Sequence, residues 1–323
     1  MYKISIVIPV YNVGEYIERG IKSLINQENF SDLELIFIND GTKDNSVEII
    51  DKYRKKYSNI ILLNKINGGV SSARNLGLEH VTSKYVCFLD PDDEVEPDYY
   101  KQLYNLIVNT NYDIVSTNYQ CKFSNGKTQI KKERFKESVS GSTNALKLFL
   151  SGGIIGNNLF DKIFWSNQAK KIKFDTTKRI GEDMDYVYNY LKNANYLLVD
   201  TTCNGYIYYK NDNSAMNSNF SEKFFDSLEL SKKYTKEFEN NKELYDYCYA
   251  HEMHERCKLL EYMLLNNGRK DYNDKWKENK RILKKVKYSI IIKRLNKRQF
   301  LGIVLMNVSP KAYMFFLKLL KIN

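Results

Sequence analysis

The sequence predicts an α/β fold, in which helices flank a mostly parallel central sheet and a helical C-terminal appendage follows. Short apolar runs alternate with amphipathic stretches over roughly the first 120 residues, which is the pattern of βαβ units. Segments rich in Asp, Asn and Gly follow the apolar runs. Beyond Asn219 the pattern is helical and strongly basic. At 323 residues, the chain has room for one domain of about 200 to 250 residues and this appendage.

The N-terminal segment predicts four strands, with a helix after each of the first three. The strands are short runs of β-branched and aromatic residues, and the helices show apolar residues three and four positions apart. Parallel strands joined by right-handed crossovers carry their C-terminal ends at one edge of the sheet, where ligands bind in such folds. In chain order the elements are strand Ile4–Val10, helix Tyr16–Asn26, strand Leu33–Asn39, helix Asn45–Lys56, strand Ile60–Leu63, helix Val70–Glu79 and strand Tyr85–Leu89.

The remainder of the first domain is less regular. A helix is predicted to follow Pro97, whose fixed φ suits a first helical turn, and a strand comes next over Asp113–Tyr119. Residues 120–140 are polar and predict a hairpin that turns at Ser124–Gly126. We therefore expect a first domain over residues 1–218, with halves at 1–119 and 120–218, and a helical region over 219–323.

Charge is distributed unevenly along the chain. The net charge is +11, yet residues 1–100 carry 11 basic and 16 acidic side chains. Residues 258–323 carry 17 basic and four acidic side chains, and no acid follows Glu278. The basic excess therefore belongs to the C-terminal region and needs its own explanation.

The cysteines and the N-terminus predict a cytoplasmic protein. Five cysteines are widely spaced and form no C-x-x-C pair, which is typical of a reducing compartment. The first residues read as a strand and lack the pattern of a secretory signal. We also expect no membrane-spanning helix, because no run of about 18 uncharged apolar residues occurs.

The ends of the first two predicted strands carry candidate nucleoside contacts. Pro9 ends sheet pairing, and exposed Tyr11 and Asn12 could stack on and hydrogen-bond a nucleobase. A plain strand-to-helix turn is the alternative. Asp40 lies at the tip of the second strand beside a glycine, where it could accept a hydrogen bond from a base or ribose. Asp44 is better placed to cap the next helix.

A glycine pair opens the third predicted helix. Gly68 and Gly69 let backbone N–H groups approach a phosphate or ribose, and Arg74, one turn into the helix, adds a planar donor group. The segment is not a G-x-G-x-x-G fingerprint, which counts against a nicotinamide or flavin fold.

Three carboxylates follow the fourth predicted strand, at Asp90, Asp92 and Asp93. Acids this close repel one another unless a cation or solvent relieves them. Hard oxygen ligands suit Mg²⁺ or Mn²⁺, so the segment predicts a divalent-cation site that holds a phosphorylated ligand.

Two further motifs have ordinary structural alternatives. Glu182 and Asp183 open a predicted helix, where acids are favourable in any case. A general base at Asp183 would have to face the same crevice as the cation. His251 and His254 are three positions apart rather than four, so an ordinary helix surface is favoured over a metal site.

Taken together and in this order, four segments resemble the motif signature of the family 2 glycosyltransferases, which have the Rossmann-like GT-A fold. The segments are Pro9–Asn12, Asn39–Ser46, Asn67–Gly77 and Leu89–Asp93. The resemblance covers about residues 1–215. It implies that residues 1–119 bind a nucleotide sugar and that residues 120–218 bind an acceptor. It also implies inverting transfer of a sugar from a UDP-sugar to a glycan or lipid-linked acceptor, in a bacterial capsule or teichoic acid pathway.

The resemblance implies a role for each site residue. Asp90 and Asp92 match the D-x-D element that holds Mn²⁺ or Mg²⁺, with Asp92 as the direct ligand, and Asp183 matches the base. Lys210, within Tyr208–Ser214, would touch the diphosphate, although the family more often has Arg there. Asn39 also departs from the pattern, in which two aspartates usually end the strand. The implied nucleotide-sugar contacts are Pro9, Tyr11, Asn12, Glu15, Asp40, Asn67, Gly69, Arg74, Asp90, Asp92, Glu182 and Lys210.

The C-terminal region interleaves Lys and Arg with Ile, Leu, Phe and Met over residues 281–321. Such helices bind anionic membrane surfaces, which predicts a peripheral protein on the inner face of the cell membrane. The alternative is a packing or homo-oligomerisation element. No nucleic-acid module accompanies the charge, so we expect no nucleic-acid partner.

Two other functions compete with glycosyl transfer. A sugar-phosphate nucleotidyltransferase should carry a glycine-rich basic loop after the first strand, where this chain has Pro9–Asn12. A non-catalytic membrane-surface scaffold would not depend on Asp92 or Asp183.

Overall fold

A computed structural model describes residues 2–210 and 219–322. The chain divides into two compact units. Unit 1 comprises Met1–Ala145, Ile154–Lys178 and Glu182–Asn211, and unit 2 comprises Leu146–Gly153, Arg179–Gly181 and Asp212–Asn323. The expected boundary between residues 218 and 219 adjoins the stretch outside the described residues and stays a prediction.

The predicted alternation of strands and helices is confirmed in the first part of unit 1, with bounds that differ by no more than two residues. The helix predicted to follow Pro97 is confirmed; Asp98 is its N-cap, so Pro97 lies just before the first turn. The elements are β1 Ile4–Val10, α1 Ile17–Ile25, β2 Leu33–Asn39, α2 Ser46–Arg54, β3 Ile60–Asn64, α3 Val70–His80, β4 Tyr85–Phe88, β5 Glu94–Val95 and α4 Tyr99–Ile107.

The second part of unit 1 contains shorter elements. The predicted hairpin is confirmed, because two short strands pair antiparallel around Gly126, whose φ is +80°. The predicted strand over Asp113–Tyr119 is shorter than expected. The elements are β6 Ile114–Ser116, β7 Tyr119–Phe123, β8 Thr128–Ile130, β9 Lys136–Ser140, α5 Ser142–Leu150 (which continues into unit 2), β10 Lys162–Trp165, α6 Ser166–Ala169, α7 Glu182–Leu191, β11 Tyr196–Asp200 and β12 Tyr206–Lys210.

Eight of the described strands form one sheet in the order β3-β2-β1-β4-β10-β6-β11-β9. Strands β3, β2, β1 and β4 are parallel, as predicted. Strand β10 runs antiparallel between β4 and β6, so the sheet as a whole is mixed. A smaller sheet has the order β5-β12-β7-β8. Because β1 is buried along its whole length, its sequence is an almost unbroken apolar run.

Two glycines allow helices to pack closely around the C-terminal edge of the parallel strands. A Cβ atom on Gly77 of α3 would lie 2.5 Å from Val7 Cγ1 and 2.8 Å from Ile38 Cδ1. A Cβ atom on Gly20 of α1 would lie 3.1 Å from the carbonyl oxygens of Pro91 and Asp93. Helix α3 therefore lies directly on β1 and β2, and α1 lies directly against the acidic loop after β4.

Unit 2 is helical in its described residues, which confirms the prediction for the region beyond Asn219. Helix α9 packs against α8 and against α10 to α13. His251, Glu252 and Glu255 of α9 are therefore buried, and the prediction of an ordinary helix surface there is wrong. The helices are α8 Asp226–Glu237, α9 Lys242–Leu265, α10 Gly268–Asp271, α11 Asn273–Lys284, α12 Tyr288–Arg294, α13 Lys297–Val308 and α14 Pro310–Ile322. Across the part of the chain that the structure describes, no helix combines the length and apolar character that a membrane crossing needs.

Candidate active site

A pocket of about 390 Å³ opens where β1, β2 and β4 end. The topology accounts for this position, because the three strands are parallel and their C-terminal ends meet at one edge. Its lining includes seven of the predicted site residues. The lining residues are Pro9, Val10, Tyr11, Val13, Asp40, Asn67, Gly69, Val70, Ala73, Asp90, Pro91 and Asp92.

Asp40 organises the glycine loop beside this pocket. Its side chain is buried, and its carboxylate accepts hydrogen bonds from the backbone N–H groups of Gly68 at 2.9 Å and Gly69 at 2.7 Å. Lys65 Nζ lies 2.5 Å from the same carboxylate. The side chain of Asn67 donates to the Asp40 carbonyl oxygen at 2.9 Å. The structure thus joins the two strand-end motifs through Asp40.

The turn after β1 holds Tyr11, Asn12 and Glu15 in different settings. Tyr11 lines the pocket and is 48% exposed, so its ring is available for stacking. Asn12 has a φ of +51°, and its Oδ1 accepts hydrogen bonds from Thr42 Oγ1 and the Lys43 N–H, both at 3.1 Å. Its side chain therefore ties the turn to the loop after β2. Glu15 is exposed on the same turn, outside the described pocket lining.

The three carboxylates after β4 do not share one environment. Asp90 and Asp92 line the pocket, whereas Asp93 is fully buried. Asp93 accepts hydrogen bonds from the Tyr206 hydroxyl at 2.7 Å and the Tyr209 N–H at 2.8 Å. Burial raises the pKa of Asp93 well above its ordinary value. Asp93 therefore anchors the acidic loop to β12, while Asp90 and Asp92 face the pocket.

Helix α1 supports the same loop through Arg19, which the sequence analysis did not identify. Arg19 donates to the carbonyl oxygen of Asp92, lies 3.0 Å from the Glu94 carboxylate, and stacks 3.6 Å from the Tyr209 ring centroid. No local pattern distinguishes Arg19 from other basic residues on a helix, because its partners come from distant parts of the chain.

Arg74 brings the two separate acidic segments together. Its side chain is 5% exposed. Its Nη1 donates to Asp183 Oδ1 at 2.6 Å and to Glu182 Oε1 at 3.2 Å. Its Nη2 donates to Asp90 Oδ1 at 3.2 Å. The start of α7 therefore lies next to the end of β4.

The surroundings of Asp183 make it a titratable group near neutral pH. Burial and the neighbouring Glu182 together raise the pKa of Asp183 to about 7, against the opposing charge of Arg74. Burial also raises the pKa of Asp90, and the charge of Arg74 opposes this rise. The Asp183 side chain keeps 31% of its surface exposed, so a ligand can reach it. A carboxylate of this kind can exchange a proton at physiological pH.

A buried ion-pair network around Asp161 was also missed. Lys162 Nζ contacts Asp161 at 2.6 Å and donates to the carbonyl oxygens of Gly156 and Asn158. Lys132 Nζ contacts the other Asp161 oxygen at 2.7 Å. Burial lowers the pKa of Lys162 to about 8, which the Asp161 carboxylate opposes. Adjacent charges inside an otherwise apolar strand segment are a signal that could have identified this pair.

Lys210 lies at the exposed end of β12, with Nζ 5.5 Å from the Phe123 ring centroid. It is not among the residues described as lining the pocket. The remainder of its predicted segment, residues 211–214, lies outside the described residues.

The residues of the pocket fit a hard divalent cation bound together with a phosphorylated ligand. Asp90 and Asp92, which both follow β4, offer two carboxylates in the pocket lining. Mg²⁺ is commonly held by one or two carboxylates plus substrate phosphates and water. Among the described residues, no group of three or more His, Cys, Asp or Glu side chains is placed to hold a metal on its own.

Comparisons with known proteins agree with this architecture. The family model described as "Glycosyl transferase family 2" matches residues 5–177, which is more than half of the chain. The chain is 44% identical to the uncharacterized glycosyltransferase YibD of Escherichia coli over 36% of its length. It is 34% identical to the minor teichoic acid biosynthesis protein GgaB of Bacillus subtilis over 58% of its length. It is also 30% identical to a poly(ribitol-phosphate) beta-glucosyltransferase of Bacillus spizizenii over 70% of its length. The chain spans 33%, 21% and 36% of these relatives, respectively.

Solved structures of S. aureus TarS have the same fold. The complex of TarS 1–349 with UDP-GlcNAc matches with a TM-score of 0.64 at 22% identity, covering 89% of this chain and 82% of the TarS chain. The complex with UDP matches with a TM-score of 0.56. The predicted GT-A fold with a helical C-terminal region is therefore confirmed.

Proposed function

The chain belongs to glycosyl transferase family 2, and from that premise we propose that it transfers a sugar, with inversion, from a UDP-sugar to an acceptor hydroxyl. The acceptor is a glycan or lipid-linked intermediate of a bacterial surface polysaccharide, such as a teichoic acid. Relatives named for minor teichoic acid biosynthesis and for poly(ribitol-phosphate) glucosylation support this acceptor class. The UDP-GlcNAc bound to TarS supports the donor class.

One observation carries the proposal, which is the arrangement of Asp90 and Asp183 around a single guanidinium group. The contacts of Arg74 with these two carboxylates are 3.2 Å and 2.6 Å. A pocket that can hold a nucleotide diphosphate therefore lies next to a carboxylate with a pKa of about 7. Inverting transfer needs such a base beside the donor.

In this proposal, the donor occupies the pocket. Tyr11 and Asp40 meet the uridine, and Asn67 and Gly69 flank it. Asp90 and Asp92 would hold Mn²⁺ or Mg²⁺, with Asp92 as the direct ligand. When bound, the cation offsets the negative charge that develops on the departing diphosphate.

Asp183 is the proposed general base. It accepts the proton of the acceptor hydroxyl, and the acceptor oxygen attacks the anomeric carbon on the face opposite the diphosphate. The C–O bond to the diphosphate breaks, UDP leaves, and the configuration at the anomeric carbon inverts. One base suffices because the diphosphate is already a good leaving group.

We also propose that α12 to α14 bring the protein to an anionic membrane on the inner face of the cell. Phe315 and Leu319 of α14 are 64% and 48% exposed and lie near exposed Lys311 and Lys318 on one helix face. Tyr313 of the same helix is buried in the core of unit 2. One face of α14 is thus packed, while another presents apolar and basic side chains together, as interfacial helices do.

Incubation with Mn²⁺ and a panel of radiolabelled UDP-sugars tests the function. We expect one donor to be consumed, with UDP released and label transferred to an acceptor extract. Asp92→Asn and Asp183→Asn should lower the rate of transfer at least about 100-fold, whereas Asp274→Asn, at a fully exposed position, should not change it. Absence of donor consumption with every UDP-sugar, in wild type as in both site variants, would support the scaffold alternative. Production of a UDP-sugar and pyrophosphate from UTP and a sugar phosphate would support the nucleotidyltransferase.

A further inference from the structure

We propose that Arg74 is a positioning residue, which sets the separation between Asp183 and Asp90 and acts on the reaction through these two carboxylates. The inference rests on the proposed function, because it takes Asp183 as the base and Asp90 as part of the cation site. It assigns to Arg74 a task other than direct contact with the nucleotide.

The first support is the shape of the guanidinium group. Its nitrogens lie in one plane at fixed separations, so two carboxylates bound to different Nη atoms are held at a defined distance. The two contacts, Nη1 to Asp183 and Nη2 to Asp90, come from segments that are far apart in the chain. A lysine ammonium is a compact point charge and cannot impose this spacing.

The second support is that the guanidinium group is itself held in place. Helix α3 is fixed on the sheet by the close approach of Gly77 to Val7 and Ile38. The guanidinium carbon lies 5.6 Å from the Phe174 ring centroid. Arg74 Nε is buried and has no hydrogen-bond partner among the described residues, so all of the donated contacts come from the two Nη groups. The guanidinium group is thus oriented so that both Nη atoms contact carboxylates, although this orientation leaves Nε without a hydrogen bond among the described residues.

The third support is the balance of charge. Asp90, Glu182 and Asp183 surround one guanidinium group, and without this cation the three carboxylates would repel one another. Val70 and Ala73 of the same helix line the pocket, but Arg74 is not among its described lining residues. Arg74 is therefore placed to hold the acids rather than to meet the nucleotide.

A double-mutant cycle tests this role. We compare wild type, Arg74→Gln, Asp183→Asn and the double variant by kcat for sugar transfer and by the Kd for UDP with Mn²⁺. We expect Arg74→Gln to lower kcat about 100-fold, as misplaced catalytic groups do, and to change the UDP Kd less than about threefold. In the Asp183→Asn background, the same change should lower kcat no more than about threefold, because Asp183, the base among the two carboxylates that Arg74 positions, is already replaced.

Chemical rescue adds a readout that a purely structural role would not give. Guanidinium chloride at millimolar concentration should restore part of the kcat of Arg74→Ala, but none of the kcat of Asp183→Ala. Arg54→Gln, at an exposed position of α2, is the matched control and should behave as wild type. If Arg74→Gln does not fold, Arg74→Lys keeps the charge, and we expect it to lower kcat with the UDP Kd preserved.

The outcomes separate this inference from the proposed function. Additive effects of the two substitutions would overturn the positioning role. A UDP Kd that weakens as much as kcat falls would also overturn it, and would make Arg74 a residue that binds the nucleotide sugar. Wild-type kcat in Asp183→Asn would instead overturn the proposed base, and with it both proposals.

Discussion

At the scale of single residues, the reactivity of Asp183 depends on neighbours that the local sequence does not reveal. Burial raises its pKa to about 7, and the charge of Arg74 limits this rise. An exposed aspartate has a pKa of about 3.9, so it would be a weaker base at neutral pH. The fold therefore makes an ordinary acid at a helix N-terminus suitable for accepting a proton.

The pH dependence of transfer follows from this shift. Raising the pH through the pKa of Asp183 increases the carboxylate fraction, so kcat/KM should rise about tenfold per pH unit below a midpoint near pH 7 and level off above it. The measurement is kcat/KM from about pH 5.5 to 8.5. Asp183→Asn should lower the rate by about 10² to 10⁴ and remove the acidic limb. A flat wild-type profile over this range would contradict the role of Asp183.

Asp93 illustrates the opposite case, an acid whose task is structural. Asp93→Ala leaves the Tyr206 hydroxyl and the Tyr209 N–H without their acceptor, so the free energy of unfolding should fall by about 1–3 kcal/mol. Urea denaturation measures the change. Glu48→Ala, at an exposed position of α2, should stay within about 0.5 kcal/mol of wild type. Equal stability of the two variants would show that Asp93 does not anchor the loop.

Sequence reasoning found most pocket residues but not all of their tasks. Asp40 and Asp92 were found because acids at the ends of parallel strands collect at one edge of the sheet. The structural role of Asp93 could not be distinguished from the roles of Asp90 and Asp92, because only its contact with β12 sets it apart. The partners of Arg19 and Arg74 also lie far away in the chain, so their contacts were not predictable from local patterns.

At the scale of elements, strands β1 to β4 and helices α1 to α3 follow from hydrophobic patterning, because short apolar runs alternate with segments of helical spacing. Strand β10 does not follow in the same way. It is four residues long, begins with buried Lys162, and enters the sheet antiparallel between strands from other parts of the chain. Its direction depends on long-range pairing, which the local pattern does not encode.

The close packing of α3 on the sheet gives a prediction at the scale of elements. A Cβ atom on Gly77 would overlap Val7 and Ile38. We expect Gly77→Ala to lower the free energy of unfolding by about 1–2 kcal/mol. An approach of 2.5 Å should cost about 2–3 kcal/mol, the upper part of the usual range for overpacking, and alanine returns about 1 kcal/mol of helix propensity. Thermal and urea unfolding measure the change.

The same variant should also lose transfer activity, because α3 carries Arg74. Glu79→Ala on the exposed side of α3 is the control and should alter stability by less than about 1 kcal/mol. A Gly77→Ala protein as stable as wild type would show that α3 can move away from the sheet at little cost.

At the scale of the whole molecule, charge is distributed unevenly between the N-terminal residues that line the pocket and the basic C-terminal region. The acidic first hundred residues contain most of the pocket, whereas residues 279–323 contain no acid. The sequence alone predicted this division, because it is a property of composition. It could not predict that α9, with its mixed polar and apolar residues, would be buried among other helices.

Membrane binding by the basic helices is tested with vesicles. Each lysine near an anionic surface contributes about 1 kcal/mol, so Lys311→Gln with Lys318→Gln should weaken binding to phosphatidylglycerol vesicles about 30-fold. Co-sedimentation at low and high salt measures the affinity. Lys22→Gln with Lys52→Gln, at exposed positions of unit 1, is the matched control. Unchanged binding in the α14 variant, or equal binding to neutral vesicles, would favour the oligomerisation alternative.

A crystal structure of the protein with UDP and Mn²⁺ tests the central claim most directly. The account predicts the diphosphate and the cation beside Asp90 and Asp92, the uracil near Tyr11 and Asp40, and the Asp183 carboxylate facing the same cavity. UDP bound at another place, or an Asp183 side chain turned away from the bound diphosphate, would contradict it.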